Sequence, residues 1–272
     1  VKQRILTAIV GVPIVLACVF WAGAYPLGIL LVIAASLALL EAAHLAKKQF
    51  PLVAASVVAL FLLSLSGFTY IAKQSDIPYA AMILAGLHLA AAVCAGFALK
   101  KTKGSLFVVF SALYICVPIV GMIALHQLGR TNPDTLTWNF VNPILMLILP
   151  IWAGDTAAIF VGKYFGKHPL APTISPKKTI EGAIANLLAS VGTAVAIGSS
   201  IGVSLPTSFG CGFVCGILGQ AGDLYESWIK RVADTKDSGT LLPGHGGMLD
   251  RIDSLLFCAL PVLALLSFIR PK

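Results

Sequence analysis

Nine apolar stretches, each about as long as a bilayer's hydrocarbon core is thick, constrain this chain's fold more than any motif does. They cover approximately residues 5–22, 26–45, 52–72, 78–99, 105–128, 141–163, 182–203, 207–224 and 254–270. A helix needs roughly 20 mostly apolar residues to cross the hydrocarbon, and each stretch is near that length. The sequence is 58% hydrophobic and only 11% charged, where a soluble domain carries about 25% charged residues. One water-facing core cannot bury so many apolar side chains, so lipid must solvate many of them. In lipid the backbone must satisfy its own hydrogen bonds, which selects helices. The expected fold class is therefore an all-α, polytopic integral membrane protein with about nine transmembrane helices in a lipid bilayer. Lys2 and Arg4 ahead of the first stretch suggest a signal peptide, but no small-residue cleavage site follows, so it is kept as a helix. With no repeat or linker, residues 1–272 read as a single membrane domain, about 1–140 as scaffold and about 141–260 as the catalytic part.

Lys and Arg orient the spans. With the N-terminus inside, fifteen of the nineteen fall on the cytoplasmic side, and only Lys73, Arg130, Arg270 and Lys272 fall opposite. That bias favours a cytoplasmic N-terminus and puts both long polar segments, about 164–181 and 225–253, in the cytoplasm. It also explains the net charge of +8 without nucleic acid, since the cations sit in short loops between apolar runs. The acids are skewed too. Only Glu41, Asp76 and Asp134 precede residue 150. Carboxylates near lipid are costly, so their crowding into the second half marks a site there. Cys211 and Cys215, four apart, lack the further ligands of a zinc site and read as small helix residues. Glu41 and His44 lack the other carboxylates of a di-iron site and read as an interfacial helix end. His88 reads as a helix-packing hydrogen-bonder.

Two segments carry chemistry. In the first, Ser175 then Pro176 reads as a helix start, with Ser at the N-cap and Pro at the first helical position. Lys177 and Lys178 would then occupy a first turn that is already positive, an arrangement a bound phosphate would offset. The plainer reading is that they only set topology. The second segment runs Ser227-Trp228-Ile229-Lys230-Arg231, then Lys236-Asp237, then Gly244-His245-Gly246-Gly247, then Asp250-Arg251-Ile252-Asp253. Glycines let backbone N–H groups turn toward an anion. Asp250 and Asp253 share a face if a helix has begun there, and Asp223 ends the preceding span. Such carboxylates suit Mg²⁺, which takes one or two of them plus substrate phosphates. A solvated loop with salt bridges is the bland alternative, and it leaves the joint presence of cations, glycines and acids unexplained.

The run from Ser227 to Asp253 resembles the signature of the phosphatidate cytidylyltransferases (CDP-diacylglycerol synthases). Gly154-Asp155 and Ser175-Pro176-Lys177-Lys178-Thr179-x-Glu181-Gly182 are also similar to that family, and the resemblance is close over about 150–260. It implies transfer of CMP from CTP to phosphatidic acid, giving CDP-diacylglycerol and pyrophosphate, with Mg²⁺ as cofactor. It also implies a homodimer, set in a bacterial inner membrane with its site facing the cytoplasm. On this basis Asp223, Lys230, Arg231, Asp250 and Arg251 are the expected catalytic residues. Asp223, Asp250, Asp253 and Asp155 are the expected metal ligands. Ser175, Lys177, Lys178, Thr179, Lys236, His245, Gly246 and Gly247 are expected to bind substrate, His245 being almost as well explained as a turn residue. The rival in the same class is a CTP-dependent lipid kinase. A transporter is the rival in another class, disfavoured because it has little need for so dense a phosphate-and-metal segment.

Overall fold

The computed structural model describes residues 2–20, 25–45, 104–128, 142–239 and 246–267, together with Cys94. The spans expected at 52–72 and 78–99, His88 and His245 lie outside the described residues. Within them stand seven helices: α1 (Lys2–Phe20), α2 (Tyr25–Leu45), α3 (Gly104–Leu128), α4 (Leu145–Phe165), α5 (Ile180–Ile201), α6 (Leu205–Val232) and α7 (Leu249–Ser267). Four of these are long and apolar enough to cross a membrane: α2, α3, α4 and α5. The described chain is thus helical and membrane-suited, as expected.

Helix α7 is the hub. It packs on α6, α3, α4 and α2, and Leu256, Cys258, Ala259, Leu260, Val262 and Leu263 are fully buried. A helix apolar on every side is stable only inside such a bundle. The outward faces of α4, α5 and α6 instead carry exposed Phe160, Leu188, Phe209 and Phe213, a surface suited to lipid tails rather than water. Small residues bring α5 and α6 into close contact. A Cβ on Gly212 would stand 2.5 Å from Val191 Cα, and one on Gly216 would stand 2.9 Å from Leu187 Cα. In lipid such close backbone approach is what holds helices together, because apolar burial gives no advantage there. Pro150 sits inside α4. It has no N–H, so the Met146 carbonyl loses its helical donor, and Cys215 Sγ lies 3.8 Å from that oxygen.

Two expectations need correction. Ser175 and Pro176 do not start a helix. Residues Ser175–Thr179 form strand β2, paired antiparallel with β1 (Pro169–Ala171). The helix starts one residue after the hairpin, with Thr179 as N-cap accepting the Gly182 N–H at 3.2 Å. The reason is physical. A proline biases the residue before it toward extended backbone, and two lysines suit a first helical turn badly. Starting at Ile180 puts Glu181 there instead, the sign the dipole favours. Glu181 also clamps the hairpin, accepting the Lys167 and His168 N–H groups at 3.1 and 3.3 Å.

The second correction is to the eighth span. The glycine-rich run is an unbroken 28-residue helix, not one that ends near Asp223 and gives way to a loop at 225. At about 1.5 Å per residue it is about 42 Å long, more than the roughly 30 Å of hydrocarbon. Its last two turns carry its charged residues Glu226, Lys230 and Arg231. Packing carries it on: Ile229 is buried, and the Tyr225 ring lies 5.3 Å from Tyr114 and 5.5 Å from Phe257. Lys230 and Arg231 fall in its last turn, where cations suit the dipole.

Candidate active site

Four helix ends and the hairpin converge on one side of the bundle: the ends of α4 and α6, and the beginnings of α5 and α7. They enclose a cavity of about 750 Å³. Its lining mixes apolar Ile151, Trp152, Ile159 and Leu255 with the cations Lys163, Lys177, Lys178, Lys230 and Arg251. Among them stand the carboxylates Asp155, Asp223, Glu226, Asp250 and Asp253. A lining with both apolar and ionic side chains suits a ligand with both a hydrocarbon part and phosphates.

The acids form two groups. Asp155, Asp223 and Asp253 are close enough to feel one another's charge. Asp155 accepts from Asn186 Nδ2 at 3.1 Å. Asp223 on α6 pairs with Lys178 of β2 at 2.5 Å and accepts the Ser227 hydroxyl at 3.5 Å. Asp253 is buried and receives the Ser254 N–H at 2.6 Å. Helices α6 and α7 meet closely at this point, since a Cβ on Gly222 would stand 2.7 Å from the Asp253 carbonyl.

The second group is Asp250, Glu226 and Lys230, in the first turn of α7 and the end of α6. Lys230 Nζ bonds both Asp250 Oδ1 and Glu226 Oε2, the latter at 2.6 Å. Asp250 Oδ2 accepts the Gly247 N–H at 2.8 Å, with the Ser238 hydroxyl at 3.0 Å and N–H at 3.4 Å. Two carboxylates and one ammonium cannot all stay charged cheaply in so buried a place. Burial, then bonding to Asp250, pushes Glu226 up to about 9. Burial also pushes Asp250 up, but bonding with Glu226, Lys230 and Gly247 outweighs it and holds Asp250 at about 2. Burial and the neighbouring Asp250 thus favour a neutral Glu226 beside the Asp250–Lys230 ion pair.

Of the residues expected from sequence, Asp155, Lys177, Lys178, Thr179, Asp223, Lys230, Asp250, Arg251 and Asp253 line the cavity. Arg231 does not. Its guanidinium reaches the Ile174 carbonyl at 3.4 Å and the Thr235 carbonyl at 3.2 Å, tying α6 to the hairpin turn. Ser175, Lys236, Gly246 and Gly247 also lie off its lining. Gly246 takes a left-handed φ of 79°, which lets the next N–H turn back to Asp250. Sequence reasoning missed Glu226, Asn186, Gln220 and the role of Glu41. The signal was available, because each is a polar residue in or beside an apolar run, where polarity demands a partner.

The donor set is compatible with Mg²⁺. Hard carboxylate oxygens of Asp155, Asp223 and Asp253 line one cavity and interact unfavourably, and a divalent cation would relieve their repulsion. Among the described residues no three His, Cys, Asp or Glu side chains already form a closed cage. Mg²⁺ does not require one, since it is usually held by one or two carboxylates together with substrate phosphates.

Known proteins resemble this chain along most of its length. The profile of the group described as "Cytidylyltransferase family" matches residues 2–269. A phosphatidate cytidylyltransferase of Bacillus subtilis is 32% identical over 267 residues, covering 94% of each chain. One from Helicobacter pylori is 48% identical over 128 residues, 47% of this chain and 48% of its own. One from Staphylococcus haemolyticus is 42% identical over 125 residues, 45% of this chain and 48% of its own.

Proposed function

The chain belongs to the cytidylyltransferase family, and from that premise we propose that it transfers CMP from CTP to phosphatidic acid, releasing pyrophosphate and forming CDP-diacylglycerol. The observation that carries this is one cavity lined by apolar Ile151, Trp152, Ile159 and Leu255 together with five cations. The apolar residues suit the hydrocarbon part of a lipid, and the cations suit its phosphate and a triphosphate.

In the reaction a phosphatidate oxygen attacks the α-phosphorus of CTP while the bond to pyrophosphate breaks. The attacking oxygen is already ionised at neutral pH, so no strong base is needed. The work is to align two polyanions and offset their repulsion. Lys178 and Lys230 are held ready by Asp223 and Asp250, so their ammonium groups need little reorganisation when phosphate arrives. Arg251 adds a planar cation suited to two-point phosphate contact. Mg²⁺ held by Asp223 and Asp253, with Asp155 close by, would neutralise charge on the phosphate oxygens. Asp250, the other ligand expected from sequence, would have to give up Lys230 to join it. The reading extends to a homodimer, which rests on the family resemblance alone. It also extends to a bacterial inner membrane with the cavity facing the cytoplasm, which the charge bias and the bacterial relatives support.

Purified protein given labelled CTP, phosphatidic acid and Mg²⁺ should yield a CDP-lipid and pyrophosphate. Formation of CDP with a phosphorylated lipid alcohol would make the protein a CTP-dependent kinase instead.

A further inference from the structure

We infer that Glu41, on a helix some two hundred residues distant in sequence, is a positioning residue for the Asp250–Lys230 pair; the inference rests on the cytidylyltransferase reading of the site. Glu41 lies near the end of α2 and is 4% exposed. Its carboxylate receives the Met248 N–H at Oε1 and the Leu249 N–H at Oε2, both at 2.8 Å. Those are among the donors that the start of α7 leaves without helical partners. An external carboxylate thus caps the helix and fixes where it begins.

The link continues to the site. The Ser238 hydroxyl stands 3.0 Å from both Glu41 Oε2 and Asp250 Oδ2, so it sits between the two carboxylates and can donate its single proton to either. Asp250 in turn holds Lys230. The chain Glu41, Ser238, Asp250, Lys230 connects the scaffold helix to a cation on the cavity wall, and Glu41 itself does not line the cavity. Two glycines make room for it. A Cβ on Gly239 would stand 2.6 Å from Glu41 Oε1, and one on Gly247 would collide with Ser238 and Glu41. The carboxylate is confined on both sides as well as bonded, which is how a distant group holds another to within a fraction of an ångström.

Glu41→Gln keeps size but replaces one acceptor oxygen with a donor, which would face an N–H. The full-length protein in detergent is expected to lose at least about tenfold in kcat, with KM for CTP changed less than about threefold. Hydrogen exchange over residues 247–250 should quicken, while exchange over α4 and α5 stays as in the wild type. Ser238→Ala, which cuts only the bridge, should lower kcat by at least about threefold. The double variant should be no worse than Glu41→Gln alone, because both act through one connection. A purely structural glutamate would quicken exchange throughout and leave turnover per folded molecule unchanged, and that result overturns the inference. Fully additive losses overturn it too. If Glu41→Gln does not fold, Ser238→Ala decides the matter alone. Wild-type protein that makes no CDP-lipid would sink the functional reading, and the exchange pattern would still judge Glu41.

Discussion

Asp223 stands where two roles meet: it pairs with Lys178 now, and it shares the cavity with Asp253 and Asp155, whose charges it feels. Removing its charge while keeping its shape should therefore damage catalysis far more than folding. Asp223→Asn is expected to lower kcat/KM by at least about 100-fold, on the order of 3 kcal/mol of transition-state stabilisation, with thermal stability in detergent near wild type. Asp234→Asn is the matched control. Asp234 is exposed just past the end of α6 with a left-handed φ of 56°, a conformation asparagine tolerates well, so steady-state activity should be unchanged within about twofold. Equal losses in the two variants would remove Asp223 from the site. Asp223 and Asp250 were legible as a pair of carboxylates near a membrane boundary. Their partners were not, because which cation each acid meets depends on how helices cross, and spacing along the chain does not encode that.

Among the elements, the hairpin between α4 and α5 differs most from expectation. Its two lysines are not equivalent. Lys178 is partly buried against Asp223 with a side-chain exposure of 26%, whereas Lys177 is exposed. Lys178→Gln should raise the apparent KM for CTP or phosphatidate by about tenfold, and Lys177→Gln by less than half as much. The reverse order in a substrate titration would mean the strand faces the other way in solution. The α5–α6 contact allows a sharper test. Gly210 and Gly212 lie two residues apart on α6, but a Cβ at Gly210 meets only Leu265 at 3.5 Å, while one at Gly212 strikes the Val191 backbone. Alanine in place of glycine favours a helix by roughly 0.5–1 kcal/mol, and overpacking costs roughly 1–3. Thermal unfolding should therefore show Gly210→Ala unchanged or slightly stabilised and Gly212→Ala destabilised. The sequence shows five glycines in this run, Gly210, Gly212, Gly216, Gly219 and Gly222, a pattern that fits either close packing or a break. Only the arrangement of neighbours separates those outcomes. The lengths of α6 and the hairpin eluded the sequence for a related reason: hydropathy marks where lipid contact stops, and a helix held by protein contacts continues beyond it.

At the scale of the molecule, both polar segments lie at the same end of the bundle, joined by Lys178–Asp223 and by Arg231 on the Ile174 carbonyl. That is the side to which the charge bias assigns the cytoplasm. In a cysteine-free background, single cysteines at Lys101 and Lys236 should react only with reagents that enter the cytoplasm. A cysteine at Arg130 should react with impermeant reagents from outside, and the opposite labelling would invert the membrane orientation. Helical class was readable because it depends on composition and on contiguous apolar residues. The Glu41 contact was not, because it joins residues with almost the whole chain between them.

That contact has a consequence for how the protein is made. Glu41 leaves the ribosome long before Ser238, Met248 and Leu249 exist. In the interval a carboxylate waits at the edge of the membrane with none of its final donors. Helix α7, buried against α2, α3, α4 and α6, is likewise the last described helix to be synthesised and the one the others close around. The nascent bundle therefore lacks α7 through most of translation, and Lys230 meets Asp250 only when that helix arrives. Catalytic competence in such a protein arrives at a single late moment, and a chain cut short before α7 would have no partial activity to offer.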